Sequence, residues 1–196
     1  MIIYGASGHG KVIFDILKSQ DETMKIQFVD DIDKGNSFYG APLSQTDAVD
    51  ISSRKLIIGI GNNKTRQRIS KKYRNFGIAV HKSSIIAPTV KIDEGSVIMA
   101  NVSINADAII GKHVIINTSA SIDHDCNIED FAHISPNASL AGNVHISEGA
   151  HVGIGACLIQ GVKIGKFATV GAGSVVIKDV PDGATVVGAP AKIIKP

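Results

Sequence analysis

From Ile86 onward a large aliphatic residue recurs every sixth position. The series runs Ile86, Ile92, Ile98, Ile104, Ile110, Ile116, Ile122, Ile128, Ile134, Leu140, Ile146, Val152, Leu158, Ile164, Val170 and Val176 without a break. Four positions after each lies a small or modest residue, such as Ser96, Ala108, Ala120, Cys126, Ala132, Ala150 or Ala168. A helical stripe would repeat at three and four residues, and a single strand would alternate over only a few. The period of six instead predicts a parallel β-helix of triangular section, with one short strand and one turn per hexad. Three hexads, eighteen residues, complete a coil. Each aliphatic residue points to the axis, the small one fills the inner corner, and coils stack at ~4.7 to 4.9 Å. Gly111, Gly153, Gly165 and Gly171 directly follow aliphatic positions, where the turn is expected to need positive φ.

The first eighty residues show no such period. Met1 to Tyr4 reads as a short buried strand, and "GASGHG" as a glycine-rich turn. Lys11 to Ser19 reads as an amphipathic helix with Val12, Ile13, Ile16 and Leu17 on one side. "IQFVDD" predicts a second strand and "KLIIGIGNN" a third, with a basic helix from Lys64 to Asn75 before a short strand, "IAVH", that leads out. A strand, glycine turn and helix in succession offer backbone N–H groups and a positive helix end to a phosphate. The spacing Gly5, Gly8, Gly10 is not the dinucleotide G-x-G-x-x-G. Asp30 and Asp31 read equally as a charged loop or as carboxylates meeting ribose or base donors at a strand end. The unit suits a mononucleotide half-site better than NAD. The expected division is residues 1–82, a small Rossmann-like α/β domain, and residues 83–196, the β-helix.

Composition narrows the function classes. Of 196 residues 44% are hydrophobic and 19% charged, with net charge +2, which points away from nucleic-acid binding. No apolar run reaches the ~18 residues of a membrane span, and the first residues lack the pattern of a signal peptide. Two cysteines, Cys126 and Cys157, make no disulfide framework. A cytoplasmic protein is expected.

The unbroken hexads resemble those of the left-handed β-helix acyltransferases, as does the ending "VVGAPAKIIKP". With "YGASGHG", "VDD" and "IGNN", the resemblance spans nearly the entire chain. It is to the branch that acetylates UDP-linked 4-amino-sugars, as in bacillosamine synthesis, and that includes proteins described as sialic acid O-acetyltransferases. It implies a left-handed helix, a homotrimer with active sites in clefts between prisms, acetyl-CoA as co-substrate, no metal, and a nucleotide-activated amino-sugar as partner. By position, Ser7, Gly8 and His9 would meet the phosphates or sugar, and Asp30, Asp31 and Gly61 the nucleoside. "NTSASIDHDC" matches the branch's catalytic stretch, making His124 the general base and Asp125 its partner, one methylene shorter than a Glu there. Gly142, within "AGN", would supply the oxyanion donor. His133, Ile154, Gly171 and Ala172 would contact acetyl-CoA, and Asn117 would orient substrate.

The hexad register bears on Asp123-His124-Asp125-Cys126 directly. Cys126 takes an inward small position, while His124 faces outward. A neutral histidine suits removal of an amine's proton near neutral pH, and a neighbouring carboxylate fixes its tautomer. Gly142 is eighteen residues on, one coil above. His113 and His145 are expected on solvated surface. Alternatives remain: O-acetyl transfer to sialic acid or a related sugar, and a nucleotide-sugar-binding scaffold without catalysis. A zinc hydrolyase of the carbonic anhydrase type is the third, since His133 and His151 should stack one coil apart.

Overall fold

A computed structural model describes residues 1–196. The N-terminal unit is one mainly parallel sheet in the order β3-β4-β2-β1-β5. Its strands are β1 (Ile2–Tyr4), β2 (Gln27–Asp30), β3 (Ser37–Phe38), β4 (Ala41–Gln45) and β5 (Leu56–Ile58). Helix α1 (Gly8–Gln20) follows β1, and α2 (Asn63–Ser70) follows β5. The hairpin of β3 and β4 is absent from the sequence reading, and α2 stops at Ser70 rather than Asn75. Helix α1 starts inside the glycine turn, and its passage over β1 requires glycine at position 10, where a Cβ would strike the Gly5 carbonyl. It buries Ile13, Ile16 and Leu17, while Val12, expected beside them, is 39% exposed.

The strand Ala79–Val80 (β6), read as leading out of the first unit, pairs with Val97–Ile98 and so already belongs to the prism. From there two-residue strands alternate among three walls, each pairing in parallel with the strand eighteen residues on, as Ser103 with Ser121 and His133 with His151. The last coil is two residues shorter: Thr169 pairs with Thr185. The inward aliphatic and small residues form one continuous core of 29 buried side chains, Cys126 among them. Side-chain complementarity repeats at every rung, so burial rather than any single contact holds the prism.

The glycine expectation is corrected. Positive φ falls three residues after the inward aliphatic, at Asn101, Asp107, His113, Ser119, Asp125, Phe131 and their successors, not at Gly111, Gly153, Gly165 or Gly171. Those glycines answer a different constraint, the close passage of the next coil. A Cβ on Gly111 would lie 2.9 Å from the Asp130 backbone nitrogen, and one on Gly153 would lie 2.6 Å from the Val170 carbonyl oxygen.

The two units share a hydrophobic cluster in which Ile13, Ile16 and Leu17 of α1 join Ala79, Val97, Met99 and Ile115 of the first wall. The N-terminal unit therefore covers the early coils of that wall and leaves the later outward residues, His133, His151 and Thr169, at its rim.

Candidate active site

His124 follows the strand Ser121–Ile122 at the corner between the second and third walls. Its side chain is 59% exposed, and its Nδ1 lies 2.7 Å from Asp125 Oδ2. Asp125 reaches back because it occupies the positive-φ corner position, with φ of 58°. The hydrogen bond that Asp125 accepts, then the charge of Asp123, raises the His124 pKa above its ordinary value. With Nδ1–H donating to the carboxylate, Nε2 keeps its lone pair. The ring rests on Gly142: a methyl group there would come within 2.7 Å of Nε2. The Gly142 N–H donates to no protein acceptor. An imidazole, a carboxylate and a free backbone N–H thus meet on one corner.

A second group gathers under the N-terminal unit. His133 and His151 stack 4.9 Å apart, 14° from parallel. Asn117 Nδ2 lies 3.1 Å from His133 Nε2, and Ser135 Oγ lies 2.8 Å from His151 Nε2. The two stacked imidazoles line a cleft of about 600 Å³ together with Gly61, Asn62, Asn63, Lys64, Phe167 and Thr169. Burial, then the charges of His151 and Arg66, pushes His133 down to about 3. Burial and Arg66 push His9 to about 4 and lower His151. These imidazoles are neutral at physiological pH. His9 Nε2 is buried without a partner. Ser7 bonds the Gly59 carbonyl rather than capping α1, and Gly8, exposed, opens the helix with N–H groups toward solvent.

A third group lies at the ends of β1, β2 and β5. There Tyr4, Gly5, Asp31, Ile60, Thr65, Arg68 and Lys72 enclose about 470 Å³. Asp30 borders this pocket but its carboxylate is committed internally, taking Ala6 N–H, Ile32 N–H and Lys34. Burial works against that carboxylate, and these hydrogen bonds outweigh it to hold its pKa low. Of the two carboxylates expected to meet ligand, Asp31 is the more available: it is exposed and accepts from the Thr46 hydroxyl. Burial, then the Asp31 carboxylate, raises the phenol of Tyr4 far above its usual value.

Ile154, 57% exposed, and Ala172 stand at the corner between the first and second walls. Gly171 beside them packs its backbone on Val187. Within one chain the His124 corner and this corner are on different edges of the prism. One expectation fails outright. His113 is 3% exposed, stacked on Phe131 with Phe76 edge-on, and pushed by burial and Arg66 to about 4. His145 stays at the surface as expected, half-exposed and paired with Glu129 at 2.7 Å. The N-terminal unit supplies Phe76, a cover invisible to hexad register alone. No group of three or more His, Cys, Asp or Glu side chains converges in a metal-holding arrangement, and no helix is long and apolar enough to cross a membrane.

The PglD N-terminal domain family matches residues 1–73. A UDP-N-acetylbacillosamine N-acetyltransferase of Bacillus subtilis is 41% identical over 108 residues, and the match spans half of each chain. Among solved structures, a histidine-substituted GDP-perosamine N-acetyl transferase from Caulobacter crescentus, in complex with CoA and GDP-perosamine, aligns at TM-score 0.92 and 38% identity. That alignment covers 100% of this chain and 96% of the other. The acetyltransferase domain of PglB from Neisseria gonorrhoeae, in complex with acetyl coenzyme A, aligns at 0.92 and 35% identity over 98% of both chains. WeeI from Acinetobacter baumannii aligns at 0.91 and 31% over 98% of both. With the PglD-type domain, the β-helix behind it and near-complete coverage of these solved structures in agreement, the chain belongs to the β-helix sugar N-acetyltransferases.

Proposed function

We propose that the protein transfers acetyl from acetyl-CoA to the amine of a nucleotide-linked amino-sugar, in its specific form a UDP-linked 4-amino-sugar. The observation that carries this reading is the His124–Asp125 pair seated on Gly142. The amine nitrogen attacks the thioester carbonyl while His124 Nε2 removes its proton. Asp125 holds the tautomer and steadies the imidazolium. The Gly142 N–H is aimed at the oxyanion of the tetrahedral intermediate. Collapse of that intermediate expels the CoA thiolate, which takes the proton from His124. Donation by one fixed backbone N–H is worth on the order of 100-fold in rate.

The nucleoside diphosphate is assigned to the N-terminal unit, with Asp31 and Gly61 toward the nucleoside and Ser7, Gly8 and His9 toward the phosphates or sugar. His133, Ile154, Gly171 and Ala172 are assigned to acetyl-CoA, and Asn117 acts through His133, which it already orients. Because the His124 corner and the Ile154 corner are on separate edges, a complete site needs a second copy, and a three-fold assembly closes it. The outward row Ser103, Ser121, Ser139 and Cys157 on the second wall is small enough for close approach of a neighbouring prism. A cytoplasmic setting is consistent with the two free thiols.

The test is thiol release from acetyl-CoA with a panel of UDP-, GDP- and dTDP-linked amino-sugars. His124→Ala should lower kcat by about 100-fold or more while nucleoside diphosphate affinity holds. In the unaltered enzyme the rate should climb with pH along a limb centred above 6.5, since Asp125 and Asp123 raise the His124 pKa. Undiminished turnover by His124→Ala removes it from the mechanism.

A further inference from the structure

Arg66, on the inner face of α2, is 1% exposed, yet no carboxylate pairs with it. Burying an ion costs several kcal/mol unless its donors are satisfied, and here oxygens of the backbone and one amide do this. Nε donates to the His113 carbonyl at 2.8 Å, and Nη1 to those of Ile60 and Gly61 at 3.1 and 3.0 Å. Nη2 reaches Asn63 Oδ1 at 2.9 Å, the Phe131 carbonyl at 2.7 Å and that of Ala132 at 3.4 Å. Burial lowers its pKa to about 9, so it remains a cation at neutral pH.

The acceptors fall on two bodies. Ile60 lines the nucleotide pocket and Gly61 follows it into the His133 cleft, while Phe131 and Ala132 lead directly into His133. Along the prism they also mark successive coils: His113, Phe131 and Gly149 are eighteen residues apart, all with positive φ, so one corner presents a column of carbonyls. Asn63 Nδ2 takes the next member of that column, the Gly149 carbonyl, at 3.0 Å. Three residues of α-helix rise ~4.5 Å and coils repeat at ~4.8 Å, so Asn63 and Arg66 match the spacing of the column.

We propose that Arg66 is a positioning residue: its guanidinium clasps the rim of the nucleotide pocket to the coil that carries His133 and so sets the distance between the held nucleotide and the acetyl-transfer site. This rests on the function proposed above. A planar fork with five N–H donors spans both bodies, whereas an ammonium offers three donors from one point. The remote nucleotide then delivers the amine to the thioester only while the joint keeps its register, and a misplacement near 1 Å costs on the order of 100-fold in rate.

The test is Arg66→Lys in the full-length enzyme, with Asn63→Ala as a milder second variant that leaves the guanidinium its backbone carbonyl acceptors. For each, kcat and KM are measured with the preferred nucleotide amino-sugar. Kd is measured for the matching nucleoside diphosphate and for CoA, and kcat is normalised to the folded fraction. The expected result for Arg66→Lys is a kcat at least about tenfold lower, with both Kd values within about threefold. Asn63→Ala should show a smaller loss of the same kind, and it carries the test if Arg66→Lys does not fold. Unchanged kcat per folded molecule in the variant measured overturns the clasp, as does loss of nucleoside diphosphate affinity with kcat intact. Inactivity of the unaltered enzyme on every amino-sugar marks failure of the function. An active parent with an unimpaired variant marks failure of the clasp.

Discussion

The prism and the unit ahead of it achieve burial by opposite means. In the prism, 29 side chains repeat one arrangement, each rung packing on copies of itself. In the N-terminal unit, two unlike clusters of 14 and 7 residues sit on opposite faces of one sheet, and the larger one extends across the joint into the first wall. Repetition leaves outward positions free to vary, and the His124 corner uses that freedom in full solvent. The irregular unit gives up such freedom: its ionisable groups meet those of the prism at the joint, where Arg66 and His113 are buried and His9, His133 and His151 half-buried.

That contrast can be broken at the joint by acid. His9, His113 and His133 are held near 4, 4 and 3 in the folded chain, against about 6.5 unfolded. Between those values the unfolded chain binds the protons, so stability is fully present above pH 6.5 and is lost as pH falls toward 4. Over the pH interval from 6.5 to 4.5 each such imidazole accounts for up to about 3 kcal/mol at ~1.4 kcal/mol per unit, so thermal denaturation followed from pH 8 to 4.5 should show a steep fall in Tm. A flat profile would show that these rings are hydrated.

A smaller effect separates the two kinds of packing. Ile134→Ala removes a wholly buried rung and should cost about 2–5 kcal/mol in urea denaturation. Val12→Ala, on the exposed side of α1, should stay within about 0.5 kcal/mol. The smallest contrast is between glycines. Gly111→Ala meets the Asp130 backbone and should cost about 1–3 kcal/mol. Gly8→Ala has nothing within 4 Å and no positive φ, and its change by the same denaturation measurement should fall within about 0.5 kcal/mol.

How much was legible in the sequence follows the same division. The prism's register could be read residue by residue, because a period repeated sixteen times overrides local ambiguity; it placed Cys126 inward and His124 outward before any coordinates. The strand Ala41–Gln45 was missed since Pro42 breaks the pattern, and the structure tolerates it because the parallel ladder with β2 begins only at Leu43. Glycine is a poor guide to the positive-φ corners, because Asn, Asp, His, Ser and Phe fill most of them. Arg66 carried no local signal: in "NKTRQRIS" it is one cation among several, and only the coils packed against α2 make it singular. Tyr4 left a faint one, as the polar-tipped residue closing a buried strand just before the glycine turn.

The uniform eighteen-residue pairing also governs how the chain can assemble. Every wall contact in the prism closes a loop of about one coil, so each added rung carries nearly the same modest entropy and propagation resembles a zipper. The sheet ahead of it must instead bring Tyr4 beside Ile58, more than fifty residues away, a slower search. Once that search ends, β6 offers a ready template edge, and growth of the coils can begin from a finished base.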